Sequence, residues 1–178
     1  MSLKSNFVLM AEYNQGMNQN IYNAASKLSF SELAKSQGAF FGSIINTLNH
    51  LLVGDTIWLQ RFAGHEEQFL TLDYVRALQE PASLDAVLYS DLSILKENRE
   101  KMDNVIKLFV AELTDTVISQ SFSYKNTKGS VFNKNFGHIL QHFFNHQTHH
   151  RGQVSTLLYQ QGIDVGVTDL LVNIPNVE

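Results

Sequence analysis

The sequence predicts an all-α chain, a four-helix bundle with a short hairpin set between its third and fourth helices. Three observations carry that prediction. Only two prolines, Pro81 and Pro175, occur in 178 residues, so long helices are free to run between them. Four long segments place apolar residues at helical spacing. There is no cysteine, so disulfides and thiolate metal sites are excluded, and a single domain over residues 1–178 has to hold by packing. At this length it can bury roughly two-thirds of the surface its unfolded chain exposes.

Helix one is expected from about Leu3 to Lys27, where Phe7, Val8, Met10, Ala11, Met17, Ile21, Tyr22 and Ala25 keep mostly helical spacing. The connector SFSELAKSQGAF predicts a short turn capped by Ser29 or Ser31, with Gly38 reversing the chain. Helix two is expected from Phe40 to about Ala63, apolar almost all round and therefore contacted on several sides. The stretch GHEEQFLTLDYVRALQEP reads as a connection with one helical turn, and Ser83 before LDAVL reads as the start of helix three, from Leu84 to about Leu113. Its charged middle, LKENREKMD, marks a solvent face. The segment TVISQSFSYKNTKGSVFNKN alternates apolar and polar residues around an Asn-Thr-Lys-Gly turn, a hairpin signal. Helix four is expected from Val131 or Phe132 to Gln161, closed by Gly162. The tail IDVGVTDLLVNIP is expected to fold back over the bundle end.

Charge narrows the function classes. The formal net charge is -4 and the 13 Lys and Arg residues are scattered, so the basic footprint of a nucleic-acid binder is missing. No run of apolar residues is long enough to span a bilayer, and the start MSLKSNFVLMAEYNQG does not read as a secretory leader, so no membrane partner and a cytoplasmic location are expected. Charged residues make up only 17%, where about a quarter is usual. A homodimer interface is the simplest cover for such a surface.

Five of the seven histidines lie between residues 138 and 150. Each helical residue advances about 100°, so with His142 at zero the apolar arc of helix four, from Ile139 to Val154, centres near 100°. His146 falls near 40° and His150 near 80°, inside that arc or at its lip, whereas His138 and His149 fall near -40° and -20°. His146 and His150 therefore face inward, four residues apart, the spacing with which helical motifs place two imidazoles on one ion. Gln147 follows the first of them where a zinc protease needs Glu, so the metalloprotease reading falls. His50 is the candidate third ligand, as the one histidine on another long helix. Two readings stand at this level: three imidazoles around an ion, or buried histidines satisfied by ordinary hydrogen bonds.

Other residues invite simpler accounts. Asp55 falls inside the apolar arc of helix two, and a buried ion pair with Arg61 or Arg151 is preferred over a hydrogen bond that orients a ligand histidine. His65, beside Glu66 and Glu67, is expected to be solvated. Arg151 is expected to tie helices by an ion pair, and Gly152 to permit a close helix approach. His142 and His149 are expected to support the site or an interface.

The segments NHLLVGDTIWLQRF and HFFNHQTHHRGQVSTLLYQQG, with TDLL after the last glycine, together resemble the DinB/YfiT-like family of metal-binding helical bundles, which is distinct from the DNA polymerase sharing part of its name. The resemblance covers essentially the whole chain. It implies a four-helix bundle with a long crossover connection, commonly a dimer. It also implies a divalent ion, nickel or zinc, on His50, His146 and His150.

Three neutral imidazoles leave such an ion short of ligands, so water or a substrate atom can join it. A metal-dependent enzyme acting on small molecules follows, with transfer of a low-molecular-weight thiol ranked first because the resemblance includes thiol transferases. A metal-dependent hydrolase and a non-catalytic, stress-related metal-binding dimer are the alternatives.

Overall fold

A computed structural model describes residues 2–176 of the chain. Its elements, in order, are α1 (Leu3–Ala25), α2 (Phe30–Ala34), α3 (Ile44–Phe62), α4 (Asp73–Arg76), α5 (Leu92–Glu112), α6 (Asp115–Ser119), β1 (Ser121–Lys125), β2 (Val131–Asn135) and α7 (Phe136–Gln160), with 3-10 turns at Leu70–Leu72 and Leu170–Asn173. The molecule is thus mostly helical with one two-stranded antiparallel sheet. The long helices are α1, α3, α5 and α7, and each packs against two others: α1 and α3 both touch α5 and α7. None of the helices is long and apolar enough to cross a membrane among the described residues.

The helix starts follow side-chain caps. The Ser29 hydroxyl accepts from Glu32 N–H while the Glu32 carboxylate accepts from Ser29 N–H, closing α2 as a reciprocal box. Helix α3 begins at Ile44 instead of Phe40, because the chain reverses through Gly38 and Gly42, both at positive φ, before Ser43 caps it. That reversal leaves Phe41 outside the helix. Helix α5 begins at Leu92 and not at Leu84: Asp91 is the cap, its carboxylate accepting from the N–H groups of Ser93 and Ile94. Ser83 instead donates its hydroxyl to Asp85, 2.6 Å away, so residues 83–90 stay irregular.

The expected hairpin is present, with Ser121 paired to Asn135 and Lys125 to Val131. Asn126 Oδ1 accepts from the N–H groups of Lys128 and Ser130, and Gly129 takes positive φ. Pairing extends to Asn135, so α7 starts only at Phe136, with the Asn135 side chain capping His138 N–H. At its far end Gly162 takes positive φ and Ile163 N–H bonds back to Leu158, a helix stop of the expected kind. The tail lies along α1, where Tyr13 donates its hydroxyl to the Thr168 carbonyl at 2.6 Å.

The core is mostly apolar, and its buried charges other than the histidines lie along one line. Phe62 meets Phe109, Phe122, Phe136 and Phe143 at one end of the helices, a stack of the kind that adds about 0.5–1.5 kcal/mol per pair beyond burial. His65 joins this cluster, stacked on Phe122 at 5.5 Å between ring centroids, and is buried. Its neighbours Glu66 and Glu67 point outward, so the expectation of a solvated His65 is corrected.

The polar line crosses all four long helices. Arg99 of α5 lies between Asp55 of α3, at 2.5 Å, and Asp103 of its own helix, at 2.9 Å, all three being fully buried. Asn18 of α1 donates to Asp103 at 2.8 Å, and Gln147 of α7 donates to the second oxygen of Asp55. Arg151 donates to the side-chain carbonyl of Asn14. Asp55 does form a buried ion pair, but with Arg99 in place of Arg61 or Arg151. Arg151 ties α7 to α1 through an amide and not through an ion pair. Burial pushes the Asp55 carboxyl up to about 6 against the pull of Arg99.

Candidate metal centre

The centre is built where α3 and α7 run antiparallel. His50 Nε2 lies 3.1 Å from His146 Nε2 and 3.2 Å from His150 Nε2. One ligand atom from each ring falls within 4.8 Å of the others, a group that could hold a metal ion. Nitrogens bound to one divalent ion at about 2.0–2.1 Å stand about 2.8–3.4 Å apart for bond angles between octahedral and tetrahedral. The two shortest separations fall in that range.

The chemistry of the outer nitrogens sharpens the fit. His50 Nδ1 lies 2.7 Å from the Leu84 carbonyl, which can only accept, so Nδ1 carries the proton and Nε2 presents a lone pair. His150 Nδ1 is held the same way by Gln153 Oε1 at 2.8 Å. Two lone pairs therefore confront each other at 3.2 Å with no proton between them. Such an arrangement repels unless a cation is shared, and fixing the outer nitrogen on a carbonyl is how proteins orient ligand histidines.

The rings are also kept neutral. Burial lowers the pKa of all three below the usual histidine range. His146 is pushed down to about 3, by burial first and then by the neighbouring rings of His150 and His50. Neutral imidazole is the form that binds metal.

Several residues shape the centre without a signal strong enough to single them out in the sequence. Gly54 is the first. A Cβ on it would sit 2.8 Å from His146 Cε1, so the His146 ring occupies space that any other residue would fill. The close approach expected at Gly152 is found here instead; nothing lies within 4 Å of a Cβ built on Gly152. A mid-helix glycine four residues after His50, carrying a propensity cost of about 1 kcal/mol, was the visible clue. Phe41 is the second, stacked on His50 at 3.9 Å and edge-on to His150 at 5.5 Å. Leu84 contributes its carbonyl, which is free because the chain there is not helical. Gln153 is the last, its Oε1 accepting from His150 Nδ1 at 2.8 Å.

The remaining histidines stand apart. His142 meets the edge of Trp58 at 5.3 Å and lies 6.3 Å from the His146 ring. His149 is exposed and touches His150 edge-on at 4.8 Å, with the Gln153 amide nitrogen 3.3 Å from its Nε2. His138 is exposed at the start of α7.

A cleft of about 650 Å³ opens onto the triad, lined by Phe40, Phe41, Asn46, His50, Leu84, Asp85 and His150. Its walls are largely apolar, with one carboxylate and one amide. Hydrogen bonds from the Ser83 hydroxyl and from its own backbone hold the Asp85 carboxyl below the usual range, so the carboxylate is ionised at neutral pH.

The chain matches known proteins along most of its length. The chain is 24% identical over 158 residues to Protein DinB of Bacillus subtilis (strain 168), a match covering 89% of this chain and 87% of that protein. The family model described as DinB family matches residues 1–176. With a match along nearly its whole length, this chain belongs to the DinB family.

Proposed function

We propose that this protein is a metal-dependent enzyme acting on small molecules, with His50, His146 and His150 holding one divalent ion, nickel or zinc. The observation that carries the reading is the pair of opposed lone pairs on His50 and His150, each fixed by a carbonyl behind it. Among the described residues no carboxylate or fourth histidine joins the group, the pattern of a site that leaves coordination positions for a substrate. An ion so held supplies Lewis acidity, lowering the pKa of a water or thiol that joins it.

The protein supplies the rest. Phe41 shields one face of His50, and the apolar walls Phe40, Phe41 and Leu84 exclude water from a bound organic group. Asn46 offers both a donor and an acceptor, and Asp85 an acceptor, to orient polar atoms of a substrate. We place transfer of a low-molecular-weight thiol first. A largely apolar cleft suits a soft sulfur on an organic body, and it brings no carboxylate beside the rings except Asp85, which Ser83 already engages. Hydrolysis is the second chemistry open to the same centre. The homodimer implied by the low charge content is supported by apolar side chains left exposed on the tail, Val167, Leu171, Val172 and Ile174.

Titration of metal-free protein with nickel and zinc by calorimetry, followed by assay of thiol loss with a chromogenic electrophile, tests the proposal. One ion per chain and a thiol conjugation that disappears in His150→Ala are expected. Tight binding of an ion with neither conjugation nor ester hydrolysis accelerated would leave a metal-binding protein without chemistry.

A further inference from the structure

The groove between α3 and α7 continues past the triad. Because the two helices are antiparallel, His50, Gly54 and Trp58 of α3 lie in turn against His150, His146 and His142 of α7. The cleft described above lies at the His50 end. Roughly 12 Å further along α3, at eight residues of about 1.5 Å rise each, a second cleft of about 490 Å³ is lined by Trp58, Tyr124, Lys134, His138, Ile139 and His142.

The two clefts differ in sign. The first contains the carboxylate of Asp85. The second contains no carboxylate, and its one charged wall residue is Lys134; the guanidinium of Arg61 covers the Trp58 ring at 4.6 Å and the Tyr124 ring at 5.5 Å from a neighbouring cavity that it shares with Glu80. Neither Lys134 nor Arg61 forms an ion pair among the described residues. Trp58 and Tyr124, 5.3 Å apart between ring centroids, and Ile139 give the cleft an apolar body. His138 and His142 add imidazole nitrogens at its rim.

We infer that this second cleft binds a small molecule carrying a carboxylate on a planar apolar body. The aromatic walls take the body, and Lys134 takes the carboxylate that nothing in the cleft supplies. A cationic ligand meets like charge there, and a neutral one gains nothing from the ammonium, which is exposed and already hydrated. Two clefts of opposite character on either side of one centre suit a reaction with two organic partners. That role rests on the function proposed above, whereas binding in the cleft does not.

Trp58 is the single tryptophan of the chain and lines this cleft, so its fluorescence reads the cleft wall, each titration being compared with the same metal state without benzoate. Benzoate is the probe, titrated into the full-length protein, metal-free and nickel-loaded, with benzyl alcohol and acetate as the body and the charge taken separately. A saturable change with benzoate is expected in both forms, at least tenfold weaker for either control. Lys134→Glu, an exposed strand residue, is expected to weaken benzoate at least tenfold while nickel affinity, read by calorimetry, stays unchanged. The inference is overturned by a response that never saturates, by benzyl alcohol binding as well as benzoate, or by a Lys134→Glu protein that responds like the parent. It is equally overturned if His146→Ala abolishes the benzoate response and Lys134→Glu does not, since the carboxylate would then sit at the triad. Failure to bind either nickel or zinc sinks the function proposed above but leaves the metal-free titration readable.

Discussion

The ring of His146 lies in the space that a side chain at Gly54 would fill, with Cε1 2.8 Å from the position of the missing Cβ. Replacing Gly54 by Ala pushes the ring away from His50. Because the ring is the far end of a side chain that can swing, the fold survives, and helix propensity adds up to about 1 kcal/mol. Nickel affinity is expected to drop at least tenfold in calorimetry while the melting temperature holds or rises. Gly152→Ala is the control: in open space it is expected to gain about 0.5–1 kcal/mol with affinity untouched. Equal affinities for the Gly54→Ala and parent proteins would show that the contact does not position the ring.

Gln153 holds the protonated Nδ1 of His150 at 2.8 Å. Its replacement by Ala frees that ring to rotate and to exchange tautomers. Loss of such an orienting partner costs about 10–100-fold in metal affinity. Competition against a chromogenic chelator measures it, and the Gln153→Glu protein, which keeps an acceptor in place, is expected to retain most of the affinity. A Gln153→Ala protein that binds as tightly as the parent speaks against the role.

Asp55 is the anion that Arg99 and Gln147 share in the core. Asp55→Ala strands a buried guanidinium with Asp103 as its remaining partner, and is expected to cost about 3–5 kcal/mol in urea unfolding. A loss below about 1 kcal/mol, the range of exposed pairs, contradicts a buried network.

The depressed pKa values of the triad set a pH dependence whose sign is fixed. The unfolded chain takes up a proton on His146 near the ordinary value of 6.5, whereas the folded chain does so only at about 3. Between those values the unfolded state binds more protons, so this residue makes the metal-free fold less stable as pH falls through the window. His146→Gln is expected to flatten the stability profile between pH 6.5 and 3. The raised carboxyl of Asp55 acts with the opposite sign between 3.8 and about 6, and the comparison with the variant cancels it. The same depression means that metal binding at pH 7 releases few protons. Calorimetry in buffers of different ionisation enthalpy reads that number directly, and release of clearly more than the one proton that a metal-bound water can give up contradicts neutral rings.

The convergence of His146 and His150 was legible in the sequence because four residues on a helix fix a face, whatever the rest of the fold does. His50 was legible by elimination, as the one histidine on another long helix. Asp55 was recognisable as a buried charge, but its partner was not. Arg61 and Arg151 are the partners the sequence suggests and Arg99 is the one found, because the pairing depends on how the helices are offset against one another, which local spacing does not encode. The start of α5 was misplaced because Ser83 and Asp91 are both good caps, and the difference between them is tertiary. Had the helix begun at Leu84, the carbonyl that holds His50 would have been committed to the helix itself. Gly54 and Gly152 were both visible as mid-helix glycines, and only the neighbouring helix tells which one is needed.

The charged line through the core bears on any attempt to move this centre to another scaffold. Asp55 and Gln147, joined to each other, are the sequence neighbours of Gly54 and His146, so the offset that seats ring on glycine is the offset that seats amide on carboxylate. Grafting three histidines and a glycine onto a foreign pair of helices transfers the ligands but not the ruler that spaces them. A faithful transplant has to carry Asp55, Arg99, Asp103 and Gln147 as well, and drift in a natural lineage at any one of them is expected to drag the others along.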